Sequence, residues 1–469
     1  MEDHGSASGL AIARTAGGLL ALVTLAAQAD LAFATTVQES IQAALSTNPE
    51  VGVVAADREA IEQELRQARA EYLPSIDVRG AAGPEYTDSP VTRNRDDEGD
   101  TETLLRLESQ VTLTQMLFDG FATQSEVQRQ IARIDSASYR VQEAAEFIAL
   151  DAVEAHLDVL RNQALVELAR ENLEQHRRIL GQVRQLEDQG AGSIGDVRQT
   201  ESRLAEAQSS LAVAQGNLRD AEAFYRAVVG SQPVDLEEGT APVFALPESP
   251  DASAAVASVA SPTVQLANAD IDVAQAELRG ARAGYYPNLD LELGAAAGDN
   301  LDGLEGRDVN AQALLVLRYN LFRGGGDIAR EREAFLRVKE ARENLRVAQR
   351  DAEQEARVAY HALTTARARL DALSAGVDAQ RSTRDIYAQQ FDLGQRGLLD
   401  LLDAENELFI DRSNLVSATF TERFAVYRVL AVIGSMLDTL EIDRPAQAIS
   451  IYRDREQRIY GTAPAQVRD

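Results

Sequence analysis

Cysteine and tryptophan are absent from this chain of 469 residues, and aromatic residues make up only 5% of it. The lack of cysteine excludes thiolate metal sites, a cysteine nucleophile, disulfide bonds and an acylated N-terminal cysteine. Positively charged residues are also few: the chain has 46 Lys and Arg and 75 Asp and Glu, which gives a net charge of −29. Such a surface repels phosphate backbones, so nucleic acid is not expected as a partner.

Long apolar runs are missing after the N-terminal region. Thr15–Ala27 is a short apolar run that follows Arg14, and Ala32–Ala34 places small residues before a cleavage point. This length fits a signal peptide better than a membrane span. We therefore expect residues 1–34 to be a signal peptide whose removal exports the chain, the alternative being a buried apolar helix. No later segment reaches about 18 apolar residues, so no transmembrane helix is predicted.

The sequence does contain an internal repeat, in which one unit occurs twice. Leu117–Phe121 matches Leu321–Gly325 at an offset of 204, and Asp188–Asp196 matches Asp392–Asp400 at the same offset. A fixed offset sustained over this distance predicts an internal twofold repeat of the fold. The predicted organisation is a first repeat over residues 35–230, a linker over 231–260, a second repeat over 261–436 and a C-terminal segment over 437–469.

Each repeat holds two segments in which apolar and polar residues alternate, which predicts strands. The predicted strands span about residues 74–86, 104–118, 287–298 and 309–322. Their length of roughly ten residues or more suits a tilted strand that crosses a bilayer. Aromatic residues gather at one end, as in a membrane girdle: Tyr72, Phe118, Tyr285, Tyr286, Tyr319 and Phe322. From the strands alone, an ordinary soluble four-stranded sheet is the alternative.

Two predicted helical hairpins, at about 121–230 and 324–436, carry apolar residues spaced by seven. The series are Ile134, Val141, Ile148 and Ala155 in the first, and Val338, Leu345, Ala352, Ala359, Ala366 and Leu373 in the second. Sustained spacing of seven predicts left-handed coiled-coil packing. The helical pattern from Gly324 to Gly394 contains no proline, and at ~1.5 Å per residue it predicts roughly 100 Å of helix. A helix of that length suits a spacer across a compartment better than a compact domain.

Four strands per chain cannot close a barrel, and lipid does not tolerate open sheet edges, so an exported chain of this kind must oligomerise. Together with the duplicated unit, LFDGF at Leu117–Phe121 and GQRGLLDLLDAENELF at Gly394–Phe409 make the chain resemble the TolC family of outer-membrane channel proteins. The stretch Tyr387–Phe409 is most similar to the branch that serves type I secretion.

The resemblance implies a mainly α-helical fold with membrane β-strands. Three chains would form a twelve-stranded barrel in the outer membrane, continued through the periplasm by an α-helical coiled-coil barrel. It also implies the partners: outer-membrane lipid, a periplasmic adaptor protein and an inner-membrane transporter of the ABC or RND type.

Asp400 and Asp403 lie three residues apart at the start of a predicted helix, so both carboxylates share one face. Acidic residues near a helix N-terminus are favoured by the helix dipole, and this local effect accounts for one of them. The resemblance implies more, because the matching residues of the family line the periplasmic end of the tunnel. Six carboxylates around one opening would attract cations, so a cation at the Asp400 and Asp403 rings is expected without a dedicated metal site.

The resemblance also implies a latch that closes this end. In the family an aspartate at the position of Asp196 accepts bonds from an arginine and a tyrosine of the second repeat. Arg396 matches that arginine, whereas Phe391 replaces the tyrosine and cannot donate a hydrogen bond. Gln199 stands where a first-repeat match of Asp403 would be. An Arg396–Asp196 pair is therefore the predicted latch.

Four glycines, Gly190, Gly192, Gly394 and Gly397, are predicted to form the turns at the two helical ends and to lie at the adaptor contact. Enzymatic function and a cofactor are not expected, because the four histidines form no HExxH motif or close ligand spacing. The predicted function is the passive outer-membrane duct of a type I secretion system. A multidrug efflux duct and a structural coiled-coil surface protein are the alternatives.

Overall fold

The computed structural model describes residues 35–93 and 101–453, so the predicted signal peptide lies outside the described residues. Ten α-helices and four strands are found there, joined by turns and short 3-10 helices. In chain order they are α1 (Val37–Thr47), α2 (Pro49–Ala70), β1 (Ser75–Thr87), α3 (Pro90–Arg93), β2 (Glu102–Phe118), α4 (Ala122–Asp188), α5 (Ile194–Val229), α6 (Pro250–Ala260), α7 (Pro262–Ala281), β3 (Asn288–Asp299), β4 (Arg307–Arg318), α8 (Gly326–Asp392), α9 (Leu398–Val432) and α10 (Met436–Thr439). None of these helices is both long and apolar enough to cross a membrane.

The twofold repeat is visible in the order and length of the elements. The two long helices α4 and α8 each have 67 residues, and their returning helices α5 and α9 have 36 and 35. Each pair follows two antiparallel strands that are themselves preceded by a helix beginning with proline, α2 or α7. Proline at the first helical position costs no hydrogen bond, which explains why both copies start this helix there.

The four strands form one antiparallel sheet in the order β1-β2-β3-β4. One row of paired residues is Ile76, Leu113, Leu293 and Ala313, and the next row on the same face is Val78, Val111, Ala295 and Ala311. The opposite face carries polar rows such as Asp77, Thr112, Gly294 and Gln312. The predicted alternation therefore produces one mainly apolar and one mainly polar face, with Leu314 and Val316 of β4 as apolar exceptions on the polar face.

The strand β4 is shorter than the sequence predicts, because it ends at Arg318 and not near residue 322. Its ladder with β3 ends where Asn288 pairs with Arg318, directly after Pro287. Proline has no N–H to extend the ladder. Beyond it, the side chain of Asn320 accepts a hydrogen bond from the Phe322 N–H at 3.1 Å and turns the chain toward α8.

The predicted heptad positions of α4 are core residues. Ile134, Val141, Ile148 and Ala155 are all at most 5% exposed. In α8, Val338, Ala352, Ala359 and Ala366 are buried as well, but only seven of its 67 residues are buried against 31 of 67 in α4. In one chain, α8 therefore leaves most of its surface uncovered.

The linker between the repeats is more structured than the sequence suggests. Residues 250–260 form the helix α6, which begins with Pro250 after the N-cap Ser249 and packs against α8. The one strand-like contact in the linker is a parallel bridge between Leu236 and Thr35. The linker therefore covers the middle of the long helices and is not an extended connector.

The C-terminal segment packs along the helices as far as the structure describes it. The buried carboxylate of Asp135 in α4 accepts hydrogen bonds from the Ser450 hydroxyl at 2.9 Å and from the Tyr452 and Arg453 N–H groups at 3.2 and 3.0 Å. The guanidinium of Arg453 also lies 2.8 Å from Asp272 in α7. This segment thus joins the first repeat to the start of the second.

Candidate functional site

The candidate site is the helical tip, which we define as the turns 189–193 and 393–397 with the first turns of α5 and α9. Both turns have the same hydrogen-bond pattern. Gly190 and Gly394 adopt φ values of 74° and 68°, and their N–H groups donate to the carbonyls of Glu187 and Phe391. The next N–H in each turn donates to a carbonyl five residues back. This is a Schellman motif, in which glycine is favoured because its φ is positive.

The other two predicted turn glycines, Gly192 and Gly397, differ from each other. A Cβ at Gly192 would lie 2.9 Å from the backbone nitrogen of Glu187, whereas a Cβ at Gly397 would meet nothing closer than Asp400 Oδ2 at 3.9 Å. Gly397 is the N-cap of α9 and has no side chain to cap the helix. Its counterpart in the first repeat is Ser193, whose hydroxyl accepts a hydrogen bond from the Gly195 N–H at 3.1 Å. Glycine is therefore sterically required at 192 and not at 397.

We expect Gly192→Ala to loosen the first turn and Gly397→Ala to leave the second turn intact. The added methyl at position 192 meets backbone atoms that cannot rotate away, which costs about 1–3 kcal/mol. Hydrogen exchange of the amides around each turn measures the effect, with Gly397→Ala as the matched control. Equal exchange in the two variants would contradict the steric argument.

The leucines of the tip form its core. Leu398, Leu401 and Leu402 are at most 8% exposed, while Leu399 is 52% exposed. The buried three pack with residues of α4, α5 and α8 in one apolar cluster that contains Ile179, Leu180, Val183, Val197, Leu204, Ala388 and Phe391. Phe391, which replaces the tyrosine of the family's latch, is thus a packing residue. The cluster joins the two hairpins and leaves the aspartates on the remaining surface of α9.

Asp400 interacts with Arg396, which lies in the turn directly before α9. The Nε of Arg396 lies 3.4 Å from Asp400 Oδ2, and its guanidinium stacks 3.6 Å from the centre of the Tyr387 ring. Tyr387 is not among the site residues predicted from the sequence. It lies one helical turn before Phe391, and the chain reversal after α8 brings Arg396 back along this helix. Its position one turn before Phe391 in the helical pattern was the available signal.

Asp403 interacts with a second residue that is not among the predicted site residues. Its Oδ1 accepts a hydrogen bond from Arg203 Nη2 of α5 at 2.9 Å. Arg203 is seven residues after Asp196, so it lies on the same face of α5 two turns further on. The structure therefore gives each of the two aspartates an arginine partner within one chain.

Asp196 acts as a cap in this structure. It is the third residue of α5, and its carboxylate accepts a hydrogen bond from the Ser193 N–H at 3.4 Å, completing a capping box. The predicted Arg396–Asp196 pair is not among the ion pairs of the described residues within one chain. The carboxylate rings, and a latch between neighbouring chains, would form only in the assembled channel. Both therefore stay predictions.

Above the tip, further polar contacts connect the hairpins. Glu405 of α9 is 5% exposed and accepts hydrogen bonds from Gln175 of α4 at 2.8 Å and from Arg384 of α8 at 3.1 Å. Arg412 of α9 lies 2.8 Å from Glu171 of α4. Within residues 35–93 and 101–453, no group of three or more His, Asp or Glu side chains is arranged to hold a metal ion.

A family-level comparison identifies this architecture. The family described as outer membrane efflux protein matches residues 40–231 and 255–434 of the chain. The two matched segments correspond to the two repeats, and the break between them falls in the linker.

Individual relatives resemble the chain over most of its length. It is 28% identical to the outer membrane efflux protein BepC of Brucella suis over 70% of this chain and 72% of that protein. It is 24% identical to the alkaline protease secretion protein AprF of Pseudomonas aeruginosa over 93% of this chain and 90% of that protein. Among solved structures, the CmeC outer membrane channel of Campylobacter jejuni superposes with a TM-score of 0.72 at 16% identity, over 90% of this chain and 89% of that one.

Proposed function

The chain belongs to the outer membrane efflux protein family, and from this premise we propose that it is the exit duct of a type I secretion system. The family resemblance seen in the sequence is thereby confirmed. So are the predicted place of the chain, in the outer membrane and extending into the periplasm, and its non-enzymatic nature as a transport channel. The trimer, the transported cargo and the individual partners belong to the proposal.

The sheet supports assembly into a barrel. Its edge strands β1 and β4 have 13 and 12 residues, and neither has an outer partner among the described residues. In lipid, every backbone group at such an edge needs a partner. Pairing β4 of one copy with β1 of the next would satisfy both edges, and three copies would close a barrel of twelve strands. The apolar rows would then face lipid and the polar rows the lumen.

The helices support a tunnel that continues from the barrel. At ~1.5 Å per residue, α4 and α8 are each about 100 Å long. The largely uncovered surface of α8 offers the area on which neighbouring chains pack. The tip at the far end would meet a periplasmic adaptor through its two turns, and through it an ABC or RND-type transporter of the inner membrane.

The choice of cargo rests on the similarity to AprF, whose name assigns it to protease secretion and which matches 93% of this chain. The second candidate is efflux, favoured by the similarity to BepC, which is named an efflux protein. A passive tunnel transmits what its inner-membrane partner supplies. We therefore propose protein export as the first function and small-molecule efflux as the second.

The tip would control passage in this proposal. Asp400 and Asp403 of three chains would form two rings of carboxylates that attract cations. Arg396 of one chain would reach Asp196 of a neighbouring chain and help to hold the tip closed. No dedicated metal site and no cofactor are needed for either role.

A deletion strain tests the proposed function. We expect it to lose secretion of the cognate protein while its sensitivity to drugs stays near that of the parent, and the purified chain to form trimers that conduct in planar bilayers. Loss of drug resistance with intact secretion would favour the efflux candidate. A chain that forms no channel in lipid would overturn both and leave a structural coiled-coil protein.

A further inference from the structure

We propose that the Arg203–Asp403 ion pair is a second latch that holds the two helical hairpins of each chain together at the tip. The inference rests on the proposed channel function and adds a positioning residue, Arg203, that the family resemblance does not supply. Close to their ends, few polar contacts among the described residues connect the two hairpins.

The two hairpins, α4–α5 and α8–α9, are each held together by their own long interface. Between them, α9 packs mainly on α4, and α5 reaches α9 only over a few residues. Arg203 and Asp403 lie on this α5–α9 side, with Nη2 and Oδ1 2.9 Å apart. Any motion that swings α9 away from α5 must separate these two atoms.

The next polar contact between the hairpins lies close to the pair, because Glu405, two residues after Asp403, accepts a hydrogen bond from Gln175 of α4 at 2.8 Å. Further up α9, Arg412 is held by Glu171 of α4 at 2.8 Å. Nine residues separate Asp403 from Arg412, which is about 14 Å along a helix. If the contacts around Arg412 and buried Glu405 stay in place, the tip of the hairpin can move outward by pivoting on them. The Arg203–Asp403 pair and the apolar cluster around Leu401 and Leu402 both oppose this motion, so loss of the pair makes the motion more frequent.

The pair is also placed where its loss does not disturb a core. Side chains of Arg203 and Asp403 are 28% and 56% exposed, and Arg203 has a second carboxylate, Glu206, at 3.1 Å in its own helix. An exposed pair is weak, so a single one would shift an equilibrium by a small factor. The trimer repeats it three times, which multiplies that factor when the three chains open together.

Two variants separate a latch from a simple charge effect. Arg203→Gln and Asp403→Asn both break the pair, but the first makes the tip more negative and the second makes it less negative. The matched control is Arg198→Gln, because Arg198 lies in the same helix and pairs only with Glu201 of that helix among the contacts of the described residues. All four proteins are purified as full-length trimers and compared in planar bilayers with KCl as the only salt.

We expect both Arg203→Gln and Asp403→Asn to raise the fraction of time spent in the high-conductance state, by roughly two- to fivefold for each pair lost and by more when the three chains open together. Arg198→Gln should behave as the parent. Opposite changes in cation conductance, up for Arg203→Gln and down for Asp403→Asn, would replace the latch by a charge effect. No change in either variant, in a parent protein that conducts, would overturn the inference and leave the channel function standing.

Discussion

Replacing Gly120 by alanine is expected to be among the most damaging single changes in the chain. Gly120 lies at the junction of β2 and α4 with φ of 71°. A Cβ there would lie 2.6 Å from the Ala283 carbonyl oxygen and 2.7 Å from the Tyr286 Cβ. Backbone atoms of a second segment cannot rotate away, so we expect a loss of about 3 kcal/mol in the free energy of unfolding from the clash and the positive φ together.

The damage should extend to the aromatic cluster at this junction. Phe118, Phe121 and Tyr286 pack edge to face, with ring centres 5.3 to 6.4 Å apart. Moving Tyr286 to make room for the methyl would break this packing, which connects the last residue of β2 to the segment before β3. The cluster lies at the end of the sheet where the sequence predicts an aromatic girdle.

Gly324→Ala is the matched control for Gly120→Ala. Gly324 is the counterpart in the second repeat at the offset of 204 and has φ of 62°, but a Cβ there would meet nothing within 4 Å. It should therefore show only the cost of the positive φ, about 1 kcal/mol. Thermal melting in detergent, together with trimer yield, measures both variants. Equal loss in the two would show that close packing at Gly120 does not matter.

The second large effect expected is a gain in stability at high pH from Glu146→Gln. Glu146 of α4 is 1% exposed, and burial raises the pKa of its carboxyl from an ordinary 4.5 to about 7. Arg444, 3.7 Å away, works in the opposite direction and lowers the pKa, but burial prevails. The carboxyl is therefore held protonated in the fold at pH values where an unfolded chain would already have released its proton.

The sign of the pH dependence follows from this difference. Between pH 4.5 and about 7 the folded chain binds more protons at Glu146 than the unfolded chain, so the free energy of unfolding falls as the pH rises. The stability that the protonated carboxyl contributes is fully present below that range and fully lost above it, and the loss amounts to at most about 3 kcal/mol. Glutamine is neutral throughout, so Glu146→Gln should melt like the parent at pH 5 and clearly higher at pH 8.

The control for this variant is Glu167→Gln in the same helix. The side chain of Glu167 is 64% exposed and pairs with Arg170 of its own helix. Glu167→Gln also removes one carboxylate from α4, but this carboxylate is exposed to water. The melting temperature of the variant should therefore follow that of the parent at both pH values. Arg444 keeps Asp438 as a partner at 2.8 Å when Glu146 is replaced. A parent protein whose melting temperature does not fall between pH 5 and pH 8 relative to Glu146→Gln would contradict the raised pKa.

The sequence predicted most of the fold because its signals are local and periodic. Alternation of period two specified the strands, spacing of seven specified the helices around Ile134 and Val338, and the constant offset revealed the repeat. These patterns reflect which face of an element is buried, and that is decided residue by residue along the chain. The end of β4 was misjudged because the alternation continues to Phe322, whereas the ladder stops with its partner strand after Pro287.

The tip shows where sequence reasoning stops. Asp400, Asp403 and the turn glycines could be selected from the sequence, because a helix N-terminus and a Schellman turn have local signatures. Arg203 could not be assigned to Asp403, which is 200 residues away, since nothing in the sequence specifies which faces of α5 and α9 meet. Tyr387 had a local signal, its position one turn before Phe391, but its contact with Arg396 depends on how the chain reverses after α8.

By itself, then, the sequence determined the elements, their duplication and the need of exposed strand edges for partners, because each follows from short-range periodicity and from the cost of unpaired backbone groups. Only the tertiary structure decided which arginine meets which aspartate, which glycine is pressed against another segment and which carboxylate loses its water. These depend on distances between parts of the chain that the sequence keeps far apart, and packing alone sets those distances.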